Sequence, residues 1–268
     1  MFWKHVAPID IQLTEFHASS ESRLTGPGHY FGSIPMKGFD LMAVLLNAQF
    51  SEMLLHGLKL TLVIAIGSWV VAMSLAIVLL VVRLLPSRIA ERVVQGYISY
   101  HQNVPTLVQL MLWYFGVASL LPGALQEWLS EHNAEAVFAI IGLGLCQAAY
   151  FSEDLRSGLR SVAPGQAEAA RALGHGYVSA MRYVLMPQAI RNALPALVNH
   201  TVSLFKNSSL AMAIGVAELT HAVKEVENLS FRAFESYLLA TVLYLVFSLL
   251  LMALGAWLEQ RARLTVSR

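Results

Sequence analysis

Five apolar runs alternate along this chain with short polar stretches, at residues 60–82, 104–121, 136–151, 193–216 and 237–257. The first carries no charged residue over 23 positions, about 34 Å of helix at ~1.5 Å per residue. The second opens at Pro105. The third is short and is predicted to continue one turn, to Leu155. The fourth is interrupted by polar side chains. A soluble bundle can hide one such helix but not five, because its helices need a polar face. The pattern predicts an all-α membrane protein with a five-helix core.

Composition sharpens that reading. The chain is 56% hydrophobic and only 13% charged. A soluble domain carries about 25% charged residues, so much of this surface faces something other than water. The net charge of +1 marks no nucleic-acid surface. The one cysteine, Cys146, lies inside an apolar run and reads as a packing residue. The nine histidines show no H-E-x-x-H or other metal spacing.

The polar loops set an orientation. Arg83, Arg88 and Arg92 follow the first run, and Arg156, Arg160, Arg171, Arg182 and Arg191 follow the third. The loop after the second run has Glu127, Glu131 and Glu135 and no basic residue. Positive charge collects on the cytoplasmic side, which predicts N-out and C-in. Residues 1–56 stand apart as an N-terminal extracytoplasmic extension. Within it, 18–37 reads as loop, and 39–55 is an amphipathic stretch suited to the outer interface.

The segment 166–195 is the odd one, because it is polar, cytoplasmic by this topology and helical in pattern. Pro164 suits a first helical turn. Glu168 is expected near the helix N-terminus, where the dipole favours it. Ala169 and Ala170 are small enough for another surface to approach closely. Gly174-His175-Gly176 stops the helix. A second short helix follows with Tyr177, Ala180, Met181 and Val184 on one face, and Pro187 is expected to end it. From the residues alone, two readings stand: a docking element, or an amphipathic loop resting on lipid headgroups.

These residues resemble a known family. Glu168-Ala169-Ala170, then Gly174 after three intervening residues, and then Val184, Met186 and Pro187 are similar to the "EAA" loop of ABC-importer permeases, whose consensus ends Ile-x-Leu-Pro. Three further stretches resemble the polar amino-acid permeases: Asn103 to Gln109 with Tyr114-Phe115-Gly116, Ser161 to Gln166, and Phe205 to Leu210 with Ile214 to Leu219. The tail, 235–261, is similar to the glutamate/aspartate branch. The likeness runs from about residue 57 to 264, giving a permease domain over 57–264 with its coupling segment at 164–195.

What the resemblance implies is a type I (MetI-like) importer permease of the cytoplasmic membrane, five-span and non-catalytic. It moves polar amino acids, with glutamate, aspartate or their amides favoured. A permease of the same class for basic or other amino acids is the near alternative, and an ion-coupled secondary transporter a remoter one. The implied partners are an ABC ATPase dimer, a second permease (identical or a paralogue), an extracytoplasmic amino-acid-binding protein and membrane lipid. ATP and Mg would sit on the ATPase, since this sequence has no G-x-x-x-x-G-K-[ST] loop. Glu168, Ala169, Ala170, Arg171, Gly174 and Pro187 are the expected coupling residues.

The candidate substrate pathway is Lys206, Asn207, Ser208, Ser209, Asn103 and Gln109. An ionisable group inside a span faces a cavity or a partner, because it is costly in lipid. Lys206 therefore reads as an attractor of a substrate carboxylate, or else as a structural lysine paired with Glu153 or Asp154 or snorkelling to an interface. In the related permeases an arginine often precedes the Asn, and Gln102 replaces it here. Gly142 and Gly144 read as sites of close helix packing, and Glu153 or Asp154 as partners of Arg156 or Arg160.

Overall fold

The computed structural model describes residues 39–264. Among them it is helical almost throughout, with no strand. After a single turn α1 (Met42–Leu45), α2 runs Ala48–Leu84 and α3 Arg88–Asn103. α4 (Thr106–Met111) continues through a π turn (Leu112–Val117) and a 3-10 turn (Ala118–Leu120). Then come α5 (Gly123–Glu131), α6 (Ala134–Arg160) and α7 (Pro164–Ala172). α8 (Tyr177–Ala180) runs through a π turn (Met181–Leu185) into α9 (Met186–Asn207), followed by a 3-10 segment (Ser208–Ile214). α10 (Leu219–Ser230) and α11 (Ala233–Leu264) complete the order.

Among the described residues, three helices are long and apolar enough to cross a membrane: Ala48–Leu84, Ala134–Arg160 and Ala233–Ala262. A fourth crossing exists if α3 and α4 count as one bent span. The apolar run 104–121 opens at Pro105, as its sequence predicts, and continues in helical turns from Thr106 to Leu120. Its partner α3 meets it at 107°, because Pro105 has no N–H to donate and holds Val104 extended (φ −98, ψ 131). The run 193–216 differs from expectation. α9 begins earlier, at Met186, is too polar to qualify by hydropathy, and gives way after Asn207 to the 3-10 segment.

α2 starts twelve residues before the apolar run, where Asn47 caps it by accepting from the N–H groups of Gln49 and Phe50 at 3.0 and 3.3 Å. The helix passes residue 57 without a break. Within the amphipathic stretch 39–55, Met42, Leu45, Leu46 and Leu55 stay exposed. Val44 and Leu54 are buried with Leu219, Val223, Val226 and Ala240. The loop reading for 18–37 lies outside the described residues.

α2 packs along α6, while α9 packs against α6 on one side and α11 on the other. Small residues let the backbones close up. A Cβ on Gly144 would stand 2.7 Å from Val71 Cγ1, and one on Gly255 would stand 2.3 Å from Val198 Cγ1. Polarity is inverted relative to a soluble bundle. Val63, Ile66, Val70, Ile77 and Val81 of α2 point outward, while Thr61, Ser68, Gln109, Gln147 and Glu218 are buried. Such an exterior is matched to lipid.

Candidate functional site

α7 is an exposed helix held between the ends of α6 and α9. Pro164 opens it. It ends in a Schellman motif: the Gly174 N–H bonds the Arg171 carbonyl at 2.9 Å, and the His175 N–H reaches the Ala170 carbonyl at 3.0 Å. Gly174 sits at φ +83, a conformation that glycine adopts without strain. Two side-chain pairs latch the segment to α9, Gln188 Nε2 to Gln166 at 3.1 Å and Asn192 Nδ2 to Ser161 Oγ at 2.8 Å.

Glu168, Ala169 and Arg171 are exposed on this helix, whereas Ala170 is buried against its own chain. Glu168 is the fifth helical residue, past the first turn where the dipole acts. Pro187 does not end the second short helix. The helical path continues through it from Tyr177 to Asn207. A proline clashes with the carbonyl four residues back, here Tyr183, and Tyr183 belongs to the π turn, whose wider ring relaxes that demand.

The candidate pathway residues divide. Lys206 is exposed, and among the described residues no carboxylate pairs with it: Glu153 is taken by Arg83 and Arg156, and Asp154 by His200 Nδ1 at 2.6 Å. The structural-lysine pairing therefore falls away. The Ser208 and Ser209 hydroxyls donate to the carbonyls of Phe205 and Lys206, at 2.6 and 2.8 Å. They satisfy the backbone where α9 gives way to the tighter turn.

Asn103 donates to the Ser99 carbonyl at 2.7 Å and is exposed. Gln109, expected along the path, is instead buried at the α3–α4 break. Its Nε2 donates to the carbonyls of His101 and Val104 at 3.0 and 2.7 Å, and its Oε1 lies 2.5 Å from His101 Nδ1. It replaces the backbone partners that Pro105 removes.

Of the six, only Asn207 lines a polar cavity inside the bundle. The cavity holds about 260 Å³ and is walled by Thr106, Cys146, Gln147, Tyr150, His200 and Ser203 besides Asn207. Gln147 Nε2 is buried and has no hydrogen-bond partner. The arrangement offers amide side chains, a phenol, an imidazole steadied by Asp154 and small hydroxyls, which suits a small polar solute. Sequence reasoning passed over Gln147, Tyr150 and His200. The signal was their spacing: Gln147 and Tyr150 are i, i+3 on α6.

The sequence model of one family, described as the binding-protein-dependent transport system inner membrane component, matches residues 71–264. A probable amino-acid ABC transporter permease protein of Vibrio harveyi is 32% identical over 224 residues, covering 84% of this chain and 96% of that protein. The glutamate/aspartate import permease protein of Escherichia coli (strain K12) is 28% identical over 222 residues, 81% of this chain and 90% of its own. A crystal structure of an amino acid ABC transporter with histidines superposes with a TM-score of 0.73 at 29% identity, covering 83% of this chain and 99% of its own.

The fold is the MetI-like permease fold. Chains of this kind are non-catalytic, with ATP hydrolysis on a separate chain. The packed apolar helices, the latched exposed segment and the match over residues 71–264 together place this chain in the binding-protein-dependent transport system inner membrane component family, as a permease subunit of an ABC importer.

Proposed function

We propose that this subunit passes polar amino acids across the cytoplasmic membrane, with glutamate, aspartate and their amides favoured, N-terminus out and C-terminus in. The observation that carries the solute reading is the polar cavity lined by Gln147, Tyr150, His200, Ser203 and Asn207. A donor there fits a carboxylate or carboxamide oxygen. The relative named for glutamate and aspartate supports the same choice.

The exposed α7 segment, with Glu168, Ala169, Arg171 and Gly174, is the docking element for an ATPase that binds ATP and Mg. A second permease completes the passage, and an external binding protein delivers the solute. ATPase closure draws the docked segments together and tilts the spans between inward-open and outward-open forms. The test is uptake of labelled glutamate, aspartate, glutamine and arginine into vesicles holding the purified complex, with and without ATP. Uptake of arginine alone overturns the solute reading. Uptake without any ATPase chain overturns the mechanism.

A further inference from the structure

Three helices meet at one charge cluster. Arg83 lies in the last turn of α2, Glu91 in the first turn of α3, and Glu153 and Arg156 one turn apart on α6. Arg83 donates through Nη1 to Glu153 and through Nη2 to Glu91 at 3.3 Å and Gln95 at 2.7 Å. Arg156 Nη2 donates to Glu91 at 3.1 Å, and its Nη1 lies 4.0 Å from Glu153. The two arginines and two glutamates alternate around a closed ring that carries no net charge. The Arg83 side chain is only 3% exposed.

The ring sits close to the coupling segment. α6 ends one turn past Arg156, and α7 begins at Pro164. In that last turn Gly158 lies against α9, since a Cβ there would stand 2.3 Å from the Ala189 carbonyl oxygen and 2.8 Å from Ala193 Cβ. The Gln166–Gln188 and Ser161–Asn192 hydrogen bonds bind the segment to α9 as well. The end of α6, the coupling segment and the start of α9 therefore form one connected body. Beyond the ring, α3 leads through the Gln109-pinned break to Thr106, which lines the polar cavity.

We propose that Arg83 is a positioning residue for transport: through its ring with Glu91, Glu153 and Arg156 it carries the movement of the coupling segment into α2 and α3, and so to the wall of the cavity. The proposal rests on the coupling role given above to residues 164–195. Apolar helix faces slide past each other at little cost, whereas a buried arginine fork fixes both distance and orientation. A charge ring closed around one buried arginine also holds one register in preference to its neighbours, because a slip leaves that buried charge unpaired.

The experiment uses the full complex with its ATPase in vesicles. Arg83→Gln is expected to assemble and hydrolyse ATP while uptake per ATP falls by about tenfold or more, within the usual range of coupling between sites. Arg83→Lys, which keeps the charge and loses the fork, falls between. The exchanged pair Arg83→Glu with Glu153→Arg recovers part of the loss. A spin label at the exposed Val93 of α3 moves on nucleotide trapping in the parent complex and stays still in Arg83→Gln.

Unchanged uptake per ATP in Arg83→Gln overturns the proposal. So does a loss of assembly in every Arg83 variant that the exchanged pair fails to repair, since that marks a purely structural residue. Gly174→Trp separates the two levels. If it leaves uptake and hydrolysis intact, the coupling reading is at fault. If it abolishes uptake while Arg83→Gln keeps its ratio, the ring alone is wrong.

Discussion

Gly158 of α6 lies so close to Ala189 of α9 that a side-chain carbon on the glycine would come within 2.3 Å of the alanine's carbonyl oxygen. Backbone cannot yield as a flexible side chain can. Gly158→Ala is therefore expected to force the helices apart and to cost about 1–3 kcal/mol, the usual range for overpacking. Thermal unfolding in detergent measures it. Gly96→Ala is the control: Gly96 is helical, and a Cβ there meets nothing within 4 Å. Its melting temperature should hold or rise.

Gly174 is constrained differently. A Cβ there also meets nothing within 4 Å, yet its φ of +83 lies where side chains rarely go. Gly174→Ala should loosen the Schellman cap by about 1–2 kcal/mol of local strain and leave the spans standing. Gly174→Trp and Glu168→Lys, both on the exposed face, should leave expression intact and remove ATP-driven uptake and solute-stimulated hydrolysis. A reconstituted complex reads both activities, and retention of both in either variant would show that the segment is not the docking site.

Glu218 ties three helices at one point. Its carboxylate accepts from the His221 N–H at 3.0 Å, from the Tyr244 hydroxyl at 2.9 Å and from Thr61 Oγ1 at 3.4 Å. Thr61 in turn accepts from the Leu219 N–H at 3.0 Å. Glu218 is fully buried. Glu218→Ala strands the His221 N–H, while Thr61 keeps the Gly57 carbonyl at 3.0 Å and Tyr244 the Thr220 hydroxyl at 3.0 Å, so the loss should be about 1–3 kcal/mol. Tyr244→Phe removes one donor and leaves the cap in place, so its loss should be smaller. Comparing the two melting temperatures decides whether the carboxylate or the phenol is the anchor.

Much of this molecule is legible along the chain because its signals are local. Pro164 opens α7 where expected, and Gly174 ends it. Gly144 and Gly158 illustrate a limit. Glycine on an apolar helix suggests close packing, but only the fold names Val71 and Ala189 as the neighbours. Arg83 meets Glu153 across 70 residues, and His200 meets Asp154 across 46. No spacing rule reaches that far, so the expected Asp154–Arg partnership gave way to an imidazole. Pro105 marks in the sequence where the second span opens, whereas the 107° at which α3 meets it and the compensation by Gln109 are set by the fold. Pro187 misled, since a π turn upstream absorbs its clash.

Gln109 and Gln147 make the sharpest test, because they are one residue type in two roles. The Gln109 amide donates to two carbonyls at the break in the second span. Gln109→Leu leaves the Val104 carbonyl without this donor and the His101 carbonyl with the weak Cys146 thiol at 3.8 Å, in a membrane interior that supplies no replacement. It should lower the yield and melting temperature of the complex, by about 1–3 kcal/mol, without changing which solute is preferred. The Gln147 Nε2 donor has no partner to lose. Gln147→Leu removes a buried unsatisfied group, so stability should stay level or rise, while uptake of acidic amino acids and their amides falls. Uptake assays and melting curves on the same four preparations (parent, each variant, and both combined) give the answer. If Gln147→Leu melts lower and transports normally, its amide is structural and the cavity is not the solute's path.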